Sequence, residues 1–158
     1  MLVPIQLIVD EAIRFERSLS SLYFQFFEAF PEDGDLWWEL SISEEGHASL
    51  LESGQKLFHD EFASEEVSAD LEGLRRSNDE IESMIQRLGK EPVERAETFR
   101  AAIEFENSEN ERTLFDLLEI RPSNPAKEIV TSIHKEDSEH ARMIRTYAAA
   151  GGISIDPR

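Results

Sequence analysis

No cysteine occurs among the 158 residues. Disulfides, zinc ribbons, thiolate-held clusters and thiol catalysis are thereby excluded, and any metal has to be held by Glu, Asp or His. Basic residues are scarce, 16 Lys and Arg against 34 Asp and Glu, for a net charge of −18. Such a surface repels nucleic-acid phosphate and anionic headgroups, so neither nucleic acid nor a membrane is expected as a partner. Long apolar runs are also missing. The first one ends at Asp10 with no basic leader region or small-residue cleavage site, and nothing approaches the ~20 apolar residues of a transmembrane helix. A soluble, cytoplasmic protein is expected, and the length with 40% hydrophobic residues fits a single domain over 1–158.

What is present is helical periodicity, divided by the few prolines and glycines. The first helix is predicted from about Pro4 to Phe30, ending at the turn cluster Pro31-Glu32-Asp33-Gly34. A second starts with Asp35 as N-cap and runs to about Asp60. The connection Glu61 to Glu91 is expected to contain helix of its own, with Ser77-Asn78-Asp79-Glu80 as a capping box and Gly89 as a C-cap. Pro92 fits the N1 position of a third long helix reaching about Ile120, before Arg121-Pro122. Asn124-Pro125 opens a fourth, which runs to about Ala150 before Gly151-Gly152. No segment alternates as a strand does, so the class is all-α: four helices of ~25 residues, each near 40 Å, with one long, partly helical crossover between the second and third.

Each long helix has an apolar stripe at steps of three and four, and each stripe is interrupted by acid. The first reads Ile5, Ile8, Ala12, Glu16, Leu19, Tyr23, Phe26, Phe30. The second reads Leu36, Leu40, Glu44, His47, Leu51, Gly54, Phe58. The third reads Ala96, Phe99, Ile103, Glu106, then Asn110 or Glu109, Thr113 and Leu117. In the fourth, Ile129 and Ile133 lead to Asp137 or Glu136, then His140, Ile144 and Tyr147. One inward Glu on one helix is ordinarily a drifting face or a snorkelling side chain. Four interruptions at matching heights are different, because a buried carboxylate without a partner is costly.

Four inward carboxylates and two neutral imidazoles are balanced by two divalent cations. Oxygen-rich ligation with one imidazole per ion suits iron or manganese. Glu-x-x-His serves this purpose because residues three apart on a helix point the same way. The chain also echoes itself. Ala12-Ile13-Arg14-Phe15-Glu16-Arg17-Ser18 matches Ala102-Ile103-Glu104-Phe105-Glu106-Asn107-Ser108 at an offset of 90. Leu40, Glu44, His47, Ala48 and Leu51 match Ile133, Asp137, His140, Ala141 and Ile144 in type at an offset of 93. Two hairpins of one design would bring two half-sites together across a pseudo-twofold axis. Elsewhere, Trp37 and Trp38 cannot share one core, which places one of them at a subunit contact; His59 is expected to meet a helix dipole, and His134 to be solvated.

In these motifs the chain resembles the ferritin-like superfamily, closest to its rubrerythrin branch, over roughly Ile5 to Tyr147. Carboxylate-bridged dimetal bundles take one Glu from each of two helices and Glu-x-x-His from each of the other two. Glu16 and Glu106 match the lone Glu positions, Glu44-Glu45-Gly46-His47 matches the first Glu-x-x-His, and Asp137-Ser138-Glu139-His140 aligns with the second. Tyr23, seven residues after Glu16, and Glu109, three after Glu106, are also similar to rubrerythrin positions. The resemblance implies a ferritin-like four-helix bundle holding two iron ions (manganese as the other metal) on Glu16, Glu44, His47, Glu106, Asp137 and His140. It implies a homodimer that reduces peroxide or dioxygen with Fe(II)/Fe(III) cycling. Two departures stand out. Asp137 is one methylene shorter than the family's Glu, with Glu136 beside it, and no Cys is present for a rubredoxin-like iron, so electrons would come from a separate donor. The other readings are a non-catalytic metal-binding or interaction bundle with a degenerate site, and an iron-storage ferroxidase.

Overall fold

The computed structural model describes residues 1–62, 65–108, 113, 116 and 126–156. The structure is mostly helical. Strand β1 (Leu2–Pro4) leads into helix α1 (Ile5–Ala29); a 3-10 turn (Pro31–Asp33) joins it to α2 (Gly34–Leu57), and the short α3 (His59–Phe62) follows. Strand β2 (Glu66–Ser68), α4 (Leu71–Leu88), α5 (Arg95–Glu106) and α6 (Ala126–Ala150) complete the described elements. No helix among the described residues is long and apolar enough to cross a membrane.

Helix α1 is the central element: it packs along α2 and also carries α4, while α6 packs on α5 and α2. One serine pair, joined by two reciprocal hydrogen bonds, fixes the register of α1 against α2. The Ser20 hydroxyl donates to the Ser41 carbonyl at 2.7 Å, and the Ser41 hydroxyl returns a bond to the Ser20 carbonyl at 2.9 Å. Both hydroxyls are buried, so each bond satisfies a group that would otherwise be desolvated without a partner.

Several boundaries differ from the sequence expectation, each for a visible reason. Asp33, not Asp35, is the N-cap of α2, and its fully buried carboxylate is occupied by Arg95 at 2.7 Å, which ties the start of α2 to the start of α5. Helix α2 ends at Leu57 rather than Asp60, with Phe58 closing it onto the Gly54 carbonyl. Ser77-Asn78-Asp79-Glu80 is helix interior, not a capping box: Asn78 is buried and donates to the Glu11 carboxylate at 2.7 Å and the Glu11 carbonyl at 3.1 Å. The cap is Asp70, whose side chain accepts from the Gly73 amide at 2.9 Å, while Gly89 closes the other end as expected. Asp70→Ala is expected to cost about 1 kcal/mol in urea unfolding, with an unchanged m-value.

Pro92 precedes α5 by three residues, and the helix starts at Arg95. It ends at Glu106 because the Asn107 side chain takes the Ile103 carbonyl at 3.0 Å, the kind of local competition that makes Asn a poor continuation. Within α5 the buried face is Thr98, Phe99, Ala102, Phe105 and Glu106, rotated from the expected Ala96 and Ile103. Glu109, Asn110, Leu117, Ile120, Arg121, Pro122, Asn124 and Pro125 lie outside the described residues. A two-stranded antiparallel pair, unexpected in an all-α reading, sets Val3 opposite Val67 with both buried. Three residues per strand are too few to show a two-residue period.

Trp37 is fully buried and Trp38 is 48% exposed, so the two do part. His134 is half-buried rather than solvated. The apolar core falls into two clusters. One holds Ile8, Ile13, Ala48, Leu51, Val130 and Ile133. The other holds Leu19, Tyr23, Leu40, Phe99, Phe105 and Ile144. On α1, α2 and α6 the inward acids and imidazoles occupy the gap between them.

Candidate metal centre

Six side chains fill that gap: Glu16 from α1, Glu44 and His47 from α2, Glu106 from the last position of α5, and Asp137 and His140 from α6. All are buried, and Glu44 is completely so. They form two sets. Glu16, Glu44, His47 and Asp137 offer ligand atoms within 4.8 Å of one another, as do Glu44, Glu106, Asp137 and His140. Glu44 and Asp137 belong to both.

The spacing i, i+3 puts Glu44 and His47 on one face of α2, and Asp137 and His140 on one face of α6. Glu44 divides its oxygens between the imidazoles: Oε2 lies 3.0 Å from His47 Nδ1 and Oε1 lies 2.8 Å from His140 Nδ1. Asp137 Oδ1 is 3.1 Å from His47 Nδ1 and 3.9 Å from His140 Nδ1. Glu16 Oε2 stands 3.8 Å from His47 Nδ1, and Glu106 Oε1 stands 3.7 Å from His140 Nδ1. The two rings are stacked at 5.5 Å. Each ring therefore points one nitrogen into the carboxylate cluster.

Each outer nitrogen has a partner on the facing helix. Ser43 Oγ is 2.9 Å from His140 Nε2, and Glu136 Oε2 is 2.7 Å from His47 Nε2. Of the two adjacent acids considered on the fourth helix, Asp137 faces the cluster and Glu136, 57% exposed, holds His47 from outside. Ser43 was not legible as a site residue. Its one signal is the offset of 93, which pairs it with Glu136 as the residue before each acid.

Electrostatics in the metal-free chain are those of crowded carboxylates. Burial, reinforced by Glu44 and Asp137, pushes Glu16 well above the ordinary carboxylate range against the opposing pull of His47. Burial and the same two neighbours raise Glu106 likewise, while the Tyr23 hydrogen bond opposes the rise. Burial works on Glu44 too, but its two imidazole partners outweigh it and hold Glu44 below its ordinary value. His47 is raised, because Asp137, Glu16 and Glu44 together overcome its desolvation.

Three of the cluster's buried carboxylate oxygens, Glu16 Oε2, Glu106 Oε2 and Asp137 Oδ1, accept no hydrogen bond. Native proteins rarely leave such groups unsatisfied. A cation in each of the two sets would satisfy all three, and this hard oxygen and imidazole donor set fits a divalent first-row metal. The buried cluster could hold metal.

Tyr23 donates its hydroxyl to Glu106 Oε1 at 2.6 Å, and its ring stacks on Trp37 at 5.6 Å. Trp37 in turn meets Phe26 and Phe99. An aromatic wall thus fixes the hydroxyl that donates to Glu106. Tyr23→Phe is expected to lose about 1–2 kcal/mol of metal-free stability and to raise Glu106 further, since the bond opposing that rise is gone. Urea unfolding and carboxyl-resolved NMR titration measure the two effects.

Comparison of the chain with protein-family models, with curated proteins and with solved structures found no match.

Proposed function

We propose that this chain is a ferritin-like four-helix bundle, built from α1, α2, α5 and α6, with α4 in the crossover, and that it carries a dinuclear metal site of the rubrerythrin type. The observation that supports it best is the double set of ligand atoms sharing Glu44 and Asp137, with three carboxylate oxygens left without hydrogen bonds. Glu16, Glu44, His47 and Asp137 would hold one ion, and Glu44, Glu106, Asp137 and His140 the other.

Two iron ions would supply one-electron cycling between ferrous and ferric states, which suits an oxidoreductase that reduces peroxide or dioxygen. The chain's own part is to hold, orient and shield. The apolar clusters above and below keep the site dry, which strengthens each electrostatic contact within it. Tyr23 places a proton at Glu106 Oε1, and the two carboxylates whose affinity for protons is raised, Glu16 and Glu106, must surrender theirs when metal enters. A separate electron donor belongs to this reading. A homodimer belongs to the same reading; exposed Phe24, Trp38 and Ile42 on one side of α1 and α2 support it.

Anaerobic reconstitution with ferrous iron followed by metal analysis tests the reading. Two irons per chain are expected, and fewer than one would sink it. With two bound, stopped-flow oxidation by peroxide against dioxygen separates peroxide reduction from ferroxidase storage chemistry. A chain indifferent to both oxidants is a binding module.

A further inference from the structure

We propose that the two metal positions are inequivalent and fill in order, the Glu16/His47 position first and the Glu106/His140 position second, because the outer partners of the two imidazoles differ in kind. The inference rests on the dimetal reading above and adds to it the order in which the site loads.

The two imidazoles are held by a crossed pair of contacts. The residue before the α6 acid, Glu136, holds the imidazole of α2, and the residue before the α2 acid, Ser43, holds the imidazole of α6. The crossing is symmetric, but the chemistry is not. A carboxylate can only accept, so the 2.7 Å contact with Glu136 requires a proton on His47 Nε2 and makes Nδ1, which faces Glu44 at 3.0 Å, the atom that metal takes. A charged acceptor also strengthens the imidazole as a donor to metal. A serine hydroxyl accepts or donates with equal ease. The 2.9 Å contact with Ser43 is therefore satisfied by either tautomer of His140, including the one whose Nδ1 proton points at Glu44 Oε1, 2.8 Å away. His47 Nδ1 stands 3.0 Å from Glu44 Oε2 in the same way, so both ligand atoms exchange a proton for metal and the two imidazoles differ in the outer partner alone.

The terminal carboxylates differ in the same direction. Glu106 already gives Oε1 to the Tyr23 hydroxyl at 2.6 Å, which draws electron density from it. Glu16 and Glu106 each keep an oxygen, Oε2, that accepts no hydrogen bond, so the Tyr23 hydroxyl on Glu106 is the difference between them. Both differences favour the Glu16/His47 position, and they come from separate parts of the molecule.

Anaerobic titration of the full chain with Co(II), followed by its visible absorption and by calorimetry, is expected to resolve two steps. Glu136→Gln keeps the size of a largely exposed side chain and removes its charge. It should weaken the first step by about 10- to 100-fold and leave the second within a few-fold. Ser43→Ala should leave the first step unchanged. Two indistinguishable steps in the parent chain, or equal weakening of both by Glu136→Gln, would overturn the order. The metal-free chain gives a second readout that does not depend on metal uptake. In long-range proton–nitrogen NMR the His47 Nε2 proton should lie downfield of any on His140 Nε2 and move upfield in Glu136→Gln. Failure to bind Co(II) with that NMR difference present counts against the dimetal reading alone, whereas its absence counts against the inference whatever the metal content.

Discussion

Glu44→Ala is expected to cost the chain both bound metal ions, not one. Glu44 is the most buried member of the cluster, and its two oxygens address different imidazoles at 3.0 and 2.8 Å, so neither set of ligand atoms survives its removal. Glu16→Ala, in contrast, touches only the His47 set and should leave the other ion in place. The effect on stability is large because metal binds only the folded arrangement. At a free metal concentration a hundredfold above Kd, each site contributes about 2.7 kcal/mol, or about 5 kcal/mol for two. For a domain of this size that is a rise of about 10–20 °C in Tm. The parent chain should show this rise on adding ferrous or manganous ion, and Glu44→Ala should show none. Glu44→Gln, nearly the same shape, separates loss of charge from loss of packing and should also fail to gain. A variant lacking Glu44 that retained one tightly bound ion would disprove the shared role.

The second large effect is a reversal of sign with pH. In the metal-free chain Glu16 and Glu106 are raised above their ordinary value of 4.5, and His47 above its ordinary 6.5. For each of these the folded state binds more protons than the unfolded state. Stability is therefore fully present below the ordinary value and is lost as pH rises from there toward the raised one. Glu44 is the opposite case: lowered in the folded state, it contributes stability above 4.5 that disappears in acid. With chelator present, the urea midpoint should fall as pH is raised from about 5 to 8. With metal saturating, the same titration should run the other way, since protons and metal compete for these oxygens and nitrogens and raising pH favours the metal. Parallel slopes with and without metal would contradict the assignment of Glu16, Glu106 and His47 to one site.

Much of this site is written in local pattern. The interrupted stripes place Glu16, Glu44, His47, Asp137 and His140 inward because an α-helix repeats its faces every three to four residues, and that repeat needs no knowledge of neighbours. Glu106 was legible for the same reason, although the helix carrying it stops there: the competition of Asn107 for the Ile103 carbonyl is a one-residue event that a stripe cannot register. The position of the cap before α4 shows the same limit. Asp70 and Ser77 are both credible caps, and what decides between them is a contact with another helix, the burial of Asn78 against Glu11.

The amino-acid sequence by itself determined the helical class, the inward acids and imidazoles, and the absence of any thiolate ligand, since all three follow from residue type and short-range spacing. Only the tertiary structure decided between Asp137 and Glu136, crossed Ser43 and Glu136 onto the opposite imidazoles, set Tyr23 on Glu106, and left three carboxylate oxygens without hydrogen bonds. Those contacts join residues 83 to 97 apart in the chain. Which of two adjacent acids faces inward, and which nitrogen of a ring is held, depends on how packed helices are rotated against one another, and no local periodicity specifies that rotation.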